Sequence, residues 1–505
     1  MEPTTIPNEI FNLIGAFLTT QDLLACLRVS RSWHAALVGI LWSDIRLVMS
    51  ADKGDHFARP SFTSITRHAP LIRTISIVCD AVFVGYNDGP VFLPNLSSLT
   101  IIHGRSQDHQ LQSQSTIELI SRHNRNLTCL NVNRALPLDL FGSFPKIQQL
   151  KVPAHWTSGH AWIECFEHLW SRVQALTITG DWIHRDRFDE HSEVDMPTDE
   201  ETAQITRTLE GRPVSIRDLD IDGYDRDIEA QLWVLTHCPS LVRLRWSVTQ
   251  RFRRRHPPEP IQALHYLAEA VRSRGWSCEK LEDLELPKTE IHAEDLNLLL
   301  NGIDRLTRLS LCMTNFNQTS WETLQRYPRH LTSLREVRLD LLGFSDSQLP
   351  GSCIHSMLCS LPNLEVFVAG SMTDLDILSD DRPWVCRGLR FLSMNIAISS
   401  RFSRQDLILG RLSELRNLER CFIAGDLASV APDACLQFTM EKGLAQLSNW
   451  NHLTDLYVSA VPLPSVKWEE TELSWVRQHW PKLKRVRGIS TVLDVDALLP
   501  GVQFR

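Results

Sequence analysis

One short stretch of the chain could do inorganic chemistry. "DLDIDGYDRDIE", Asp218 to Glu229, fits the calcium-loop spacing D-x-D-x-D-G-x5-E, in which carboxylate oxygens surround a hard cation. Such a loop needs a helix leading into it, and Gly211 and Pro213 break the helical pattern upstream. The same residues alternate acidic and apolar, so we read a strand with Asp218, Asp220 and Asp222 facing outward; a calcium loop is the alternative. Bond-breaking motifs are missing: there is no G-x-S-x-G, no H-E-x-x-H and no G-x-x-x-x-G-K-[ST]. Nineteen histidines lie without metal-ligand spacing, and most are expected at the surface. Twelve cysteines run from Cys26 to Cys435 with no C-x-x-C pair, which suits reduced thiols inside a cell better than disulfides or zinc. The expectation is no catalytic residue, no resident metal and no cofactor.

Binding is the chemistry left, and a repeat is what would position it. The unit apolar-x-x-apolar-x-apolar occurs fifteen times, from "IRTISI" at 72 to "LKRVRG" at 483, with starts mostly 20 to 35 residues apart. Six copies carry a proline two positions before the first apolar residue, at Pro70, Pro94, Pro145, Pro239, Pro362 and Pro481. Proline ends a helix and favours extended backbone before it, so it marks the passage from helix to strand. Between copies lie helical patterns such as "IQALHYLAEAVRS" and "AEDLNLLLNGI". From about residue 70 to 490 the chain resembles leucine-rich-repeat proteins. The fold class this implies is α/β: an irregular leucine-rich-repeat solenoid, parallel strands on the concave face and helices on the convex face. The ninth repeat position, where that family often has a turn asparagine, holds Asp80, Gly104, Ala135, His155 and Thr289 here.

The alternation within each unit assigns side chains to the outer face of the sheet. These are Asp218 and Asp220, Arg243 and Arg245, Asp283 and Glu285, Arg308 and Ser310, then Glu336 and Arg338, a ladder of alternating sign. Farther along, the same positions become apolar at Val366, Val368, Phe391, Phe422 and Tyr457, which makes them the candidate substrate-binding patch; cover by loops or the C-terminal tail is the alternative. Long insertions fall near 181–213 and 249–262. The first carries the acidic run "DEHSEVDMPTDEE", the second the basic run "RFRRRHPPEP"; both are expected to be solvated loops.

Residues 6 to 47, "IPNEIFNLIGAFLTTQDLLACLRVSRSWHAALVGILWSDIRL", read as three short helices. Pro7 suits a first helical position, Thr19 or Thr20 caps a second helix and Ser30 a third. So small a module cannot bury its apolar surface alone. Its pattern resembles an F-box: Ile6, Pro7, Glu9 and Ile10, then Asp22, Leu23 and Leu24, then Val29 and Trp33, then Leu41 and Trp42. The family's leading leucine is replaced by Ile6. The expected domains are the trihelical, all-α F-box at 1–48, a linker or cap at 49–69, the repeats at 70–490 and a C-terminal cap at 491–505.

The resemblance implies docking on a Skp-type adaptor of a cullin-RING (SCF-type) ubiquitin ligase, through Ile6, Pro7, Ile10, Ile14, Leu23, Leu24, Val29 and Trp33. The chain would then be a non-catalytic substrate receptor whose repeats hold an unknown protein target. A repeat scaffold acting outside ubiquitination is the alternative. A net charge of −8 argues against a nucleic-acid partner. No apolar run approaches a membrane span and no basic leader opens the chain, so the expected compartment is cytoplasmic, nuclear or both.

Overall fold

The computed structural model describes residues 7–49, 62–79, 92–103, 124–133, 144–153, 169, 171–179, 214–224, 228–249, 263–287, 289–312, 314–339, 349–398, 405–424, 436–459, 466–491 and 498–504. Ile6 and both insertion loops with their charged runs, 180–213 and 250–262, lie outside the described residues. The chain divides into two compact units, Met1–Ser240 and Leu241–Arg505.

The first unit opens with three helices, α1 (Asn8–Phe17), α2 (Thr20–Cys26) and α3 (Arg31–Ser43). Pro7 stands at the N-cap of α1, one residue before the helical position expected for it. Thr19 caps α2 reciprocally: its hydroxyl accepts the Asp22 N–H, and the Asp22 carboxylate accepts the Thr19 N–H at 3.2 Å. Ser30 accepts the Trp33 N–H and starts α3. These caps satisfy helix-end amides that the module is too small to bury.

The strand β1 (Asp44–Met49) leaves α3 directly, so the sheet begins at Asp44 and not near residue 70. After α4 (Phe62–His68) come β2 (Thr74–Cys79), β3 (Ser98–His103), β4 (Cys129–Val132), β5 (Gln149–Pro153), β6 (Ala175–Thr179), β7 (Asp218–Tyr224) and α5 (Ile228–Thr236). All seven strands run parallel, and Ile45, Ile75, Leu99, Leu130, Leu150, Leu176 and Leu219 lie in one lateral row. Every member of that row is buried. Asp218 to Tyr224 is thus a strand in which buried Leu219 and Ile221 alternate with Asp218, Asp220 and Asp222. Paired backbone of this kind is not the entering turn of a calcium loop.

The second unit repeats the scheme. Its elements are β8 (Arg243–Thr249), α6 (Ala263–Arg274), β9 (Asp283–Glu285), α7 (Ala293–Gly302), β10 (Arg308–Ser310), α8 (Gln318–Gln325), α9 (Pro328–Ser333) and β11 (Glu336–Arg338). Then follow α10 (Gly351–Ser360), β12 (Val366–Thr373), α11 (Asp374–Ser379), β13 (Phe391–Ala397), α12 (Gln405–Ser413), β14 (Arg420–Ala424) and β15 (Asp455–Ser459). The unit ends with β16 (Val466–Trp468), α13 (Glu470–His479), β17 (Arg485–Arg487), β18 (Ile489–Thr491) and β19 (Gln503–Phe504). Strands β8 to β15, then β17 and β19, pair in parallel, and β16 pairs with β18 apart from them. The inner row reads Leu244, Leu284, Leu309, Val337, Phe367, Leu392, Cys421, Leu456, Val486, all buried. Parallel strands, each burying one leucine-type row and joined through helices where the connections of the second unit are described, make both units leucine-rich-repeat structures. No helix among the described residues is long and apolar enough to cross a membrane.

Side chains also tie repeat to repeat. Asn95 and Asn126 donate to the carbonyls of Pro70 (2.6 Å) and Pro94 (2.9 Å), and Asn363 and Asn417 to those of Thr332 (2.7 Å) and Arg387 (2.9 Å). Each asparagine stands just before its hexamer, so the family's turn asparagine is replaced by one at another place. At the ninth position itself, buried Thr314 donates to the Leu311 carbonyl in the turn, while buried Thr289 donates to the Glu290 carbonyl and accepts the Leu264 N–H from α6.

Two histidines are buried against the surface expectation. His330 donates from Nε2 to the Leu300 carbonyl (2.9 Å) and His355 from Nε2 to that of Asp380 (2.9 Å). Their Nδ1 atoms accept, from the Leu306 N–H and the Trp384 indole N–H respectively. Burial pushes both imidazoles below the ordinary value of 6.5, against the pull of those carbonyls. The unfolded chain therefore binds protons that the folded chain refuses. Their contribution is complete above pH 6.5 and is lost as pH falls below it toward the folded values. Urea unfolding should show a midpoint that drops between pH 7 and pH 5.5; a midpoint that rises on acidification would contradict this assignment.

Candidate functional site

The N-terminal module is built around Phe11, Leu23 and Leu37, with Trp33 edge-on to Phe11 at 5.2 Å. Gly15 lets α1 and α3 meet: a Cβ there would stand 2.3 Å from Ile40 Cδ1. With Phe11 and Gly15 turned inward, the opposite side of α1 is left without cover. Phe17 is 87% exposed, Val29 67%, Leu13 60%, Leu24 47% and Ile10 44%. Five large apolar side chains exposed in so short a span, three of them on one face of α1, call for a partner.

Of the residues expected at a docking surface, Pro7, Ile10, Leu24 and Val29 are exposed, while Ile14 and Trp33 are half-buried. Leu23 is buried in the module's own core, so it shapes the surface from beneath and cannot touch a partner. Ile6 lies outside the described residues. Leu13 and Phe17 complete the face and were not among the expected contacts; their i, i+3, i+7 spacing from Ile10 is the signal that finds them. Trp42 stacks on His68 at 4.2 Å with an interplanar angle of 10°, joining α3 to the repeats of its own unit.

The second candidate surface is the outer side of β8 to β17 in the second unit. Arg245 pairs with Glu285 (3.1 Å), and Arg308 bridges Asp283 (2.9 Å) and Glu336 (3.0 Å), with Arg338 also on Glu336. Burial raises the Asp283 carboxyl above its ordinary value despite Arg308 beside it. The alternation of sign is therefore a neutralised ladder, each exposed rung worth less than about 1 kcal/mol.

Beyond the ladder, Val366 is the register partner of Phe391, and Phe422 of Tyr457. Phe391 and Phe422 are diagonal neighbours with centroids 5.4 Å apart, and Phe422 lies 5.8 Å from Tyr457. Val366, Phe391, Phe422 and Tyr457 are half-buried. Val368 departs from its expected role: it is buried, because β12 is shielded along most of its length around the register shift between Val368 and Ser371. The last described strand does not overlie this strip; β19 extends the sheet beside β17, and Phe504 packs on Trp468.

Nothing else assembled among the described residues resembles an active centre. Cys359 Sγ lies 3.5 Å from His355 Nε2, but that nitrogen carries the proton given to Asp380, and burial pushes the thiol up to about 11. An open cleft of about 670 Å³ at α6 and α7 is lined by His265, Arg272, His292, Glu294 and Asp295, with His265 and Asp295 paired at 3.2 Å. No group of three or more His, Cys, Asp or Glu among the described residues is placed to hold a metal ion.

Residues 4–48 match the family model described as F-box-like. No curated protein sequence matches the chain. Among solved structures, the crystal structure of a TLR13–ssRNA13 complex is similar, with a TM-score of 0.40 and 13% identity over 87% of this chain. The match covers 64% of that chain, so this chain spans less than two thirds of its length.

Proposed function

We propose that this chain, with its F-box-like segment at 4–48, is the substrate-recognition subunit of a cullin-RING ubiquitin ligase. The observation that carries the proposal is the unfinished module: three buried core residues support five exposed large apolar ones. A Skp-type adaptor covering Ile10, Leu13, Phe17, Leu24 and Val29 would complete the core that α1 to α3 begin. The repeats hold a target protein on their strand face, with Val366, Phe391, Phe422 and Tyr457 as contacts. The chain itself breaks no bond. It raises the target's effective concentration beside a separate conjugating enzyme.

A pair of full-length chains tests this, one natural and one carrying Leu13→Asp with Phe17→Asp. Proteins captured by the repeats should be more abundant with the variant, because they are held without being marked for degradation. Blocking the proteasome should erase the difference. Equal abundance with both chains would support a repeat scaffold working outside ubiquitination.

A further inference from the structure

We propose that the outer face of β13, β14, β15 and β17 binds an extended acidic segment of the target, an apolar side chain seated midway between two carboxylates four residues apart. The inference rests on the receptor reading and names what the target presents.

The ladder from β8 to β11 consumes its own charges in the ion pairs described above. Past Val366 and Phe391 the balance changes, because the outward residues of β14, β15 and β17 include Arg420, Arg485 and Arg487 against one acid, Asp455. That acid is already engaged. Burial alone would raise its carboxyl, but hydrogen bonds from Arg485 and Thr454 hold it below the ordinary value. Arg420 and Arg487 are exposed; Arg420 faces Asp455 as its register partner and adds to the pull on that carboxyl, so two further cations stand against one acid already held by Arg485. A positive surplus therefore flanks the aromatic strip.

The arrangement has direction. The Arg420 guanidinium stands 4.9 Å from the Phe391 ring centre at one end, and Arg487 is the register partner of Tyr457 at the other. Parallel strands lie about 4.8 Å apart, so β14 and β17, separated only by β15, are about 10 Å apart. Arg420 is in line with Arg485, and Arg487 stands two residues farther on, which makes the diagonal between Arg420 and Arg487 about 12 Å. Four residues of extended peptide span about 13 Å, and in such a segment residues i, i+2 and i+4 share one face. A segment crossing the strands diagonally can meet Arg420 with one carboxylate and Arg487 with another four residues on, its middle side chain on the same face. Its apolar side chain then lies on Phe422 and Tyr457, where desolvation strengthens both charge contacts.

Fluorescence anisotropy on the full chain bound to its adaptor tests this. The probes are fluorescein-labelled peptides holding one Phe between two Glu, with the acids two, three or four residues apart, and the same peptides with Gln. The four-residue Glu peptide, with its Phe midway, should bind at least tenfold tighter than its Gln form and tighter than the other spacings, and high salt should weaken it. Arg487→Gln and Arg420→Gln should each lose three- to tenfold, Phe422→Ala tenfold or more, and Arg335→Gln, outside the strip, nothing. Phosphoserine replacing the second Glu should bind at least as well, and a further gain would identify a phosphate as the natural anion. Equal binding of Glu and Gln peptides, no binding of either, or preference for a labelled oligo(dT) would overturn the proposal. Failure of the adaptor to bind the chain would instead remove the receptor reading while leaving the peptide preference intact.

Discussion

Phe17→Asp should weaken association with a Skp-type adaptor by a hundredfold or more while leaving the repeats folded. Phe17 is the most exposed large apolar residue described in the chain, and it belongs to one face with Ile10 and Leu13. Truncating a central anchor of an interface costs about 2–4 kcal/mol, and a buried carboxylate adds its own desolvation penalty. The same exposure makes the substitution harmless to the free chain, since Phe17 contributes nothing to the Phe11, Leu23 and Leu37 core. Calorimetric titration measures the loss, and far-ultraviolet circular dichroism with thermal unfolding checks the fold. Leu37→Ala supplies the contrast, because it should destabilise the module and so weaken docking only through unfolding.

Trp480→Ala should cost about 3–5 kcal/mol and release the C-terminal repeats first. Trp480 is buried against Trp450 at 5.9 Å, Trp468 at 6.2 Å and Trp475 at 5.4 Å. Its indole N–H donates to the Leu447 carbonyl at 3.0 Å, and that acceptor would be left without its bond. Trp450 holds the Leu412 carbonyl at the end of α12 and Trp468 that of Phe438 in the same way, so this cluster ties a helix end and the backbone between β14 and β15 to the last repeats. Each repeat contacts chiefly its neighbours, so the damage should stay local. Hydrogen exchange should rise sharply over β15 to β17 and little over β8 to β11. A uniform rise across the second unit would show that its repeats unfold as one.

Much of this was legible in the sequence because one physical requirement recurs: each repeat must bury an apolar row. Every one of the fifteen hexamers holds a strand, and even Cys421 and Phe367 keep the leucine row in register. A sixteenth, "WSDIRL" at 42, fits the same unit, and its Ile45 pairs with Ile75 of "IRTISI". Trp42 masks it, because the same residue closes the F-box pattern. One residue serves both patterns, ending the helical module and opening the first repeat. The docking face was harder to read, since helical spacing alone does not tell which side of α1 turns inward; Gly15, which admits Ile40, decides it. Leu23, on α2, turns into the core with Phe11 and Leu37, and adjacent Leu23 and Leu24 do not reveal in sequence which of the two does so. Val368 followed the strand alternation in the sequence, but the register shift in β12 overrides it. Buried His330 and His355 carry no pattern at all, because their partners are carbonyls and an indole brought up by other repeats.

The most direct measurement is the mass of the particle formed when the full chain is co-expressed with a Skp-type adaptor. Light scattering coupled to size exclusion should give one adaptor per chain, and the Leu13→Asp, Phe17→Asp chain should elute without it. A natural chain that stays free of adaptor at micromolar concentration, with its apolar face uncovered or paired to a second copy of itself, would contradict the account.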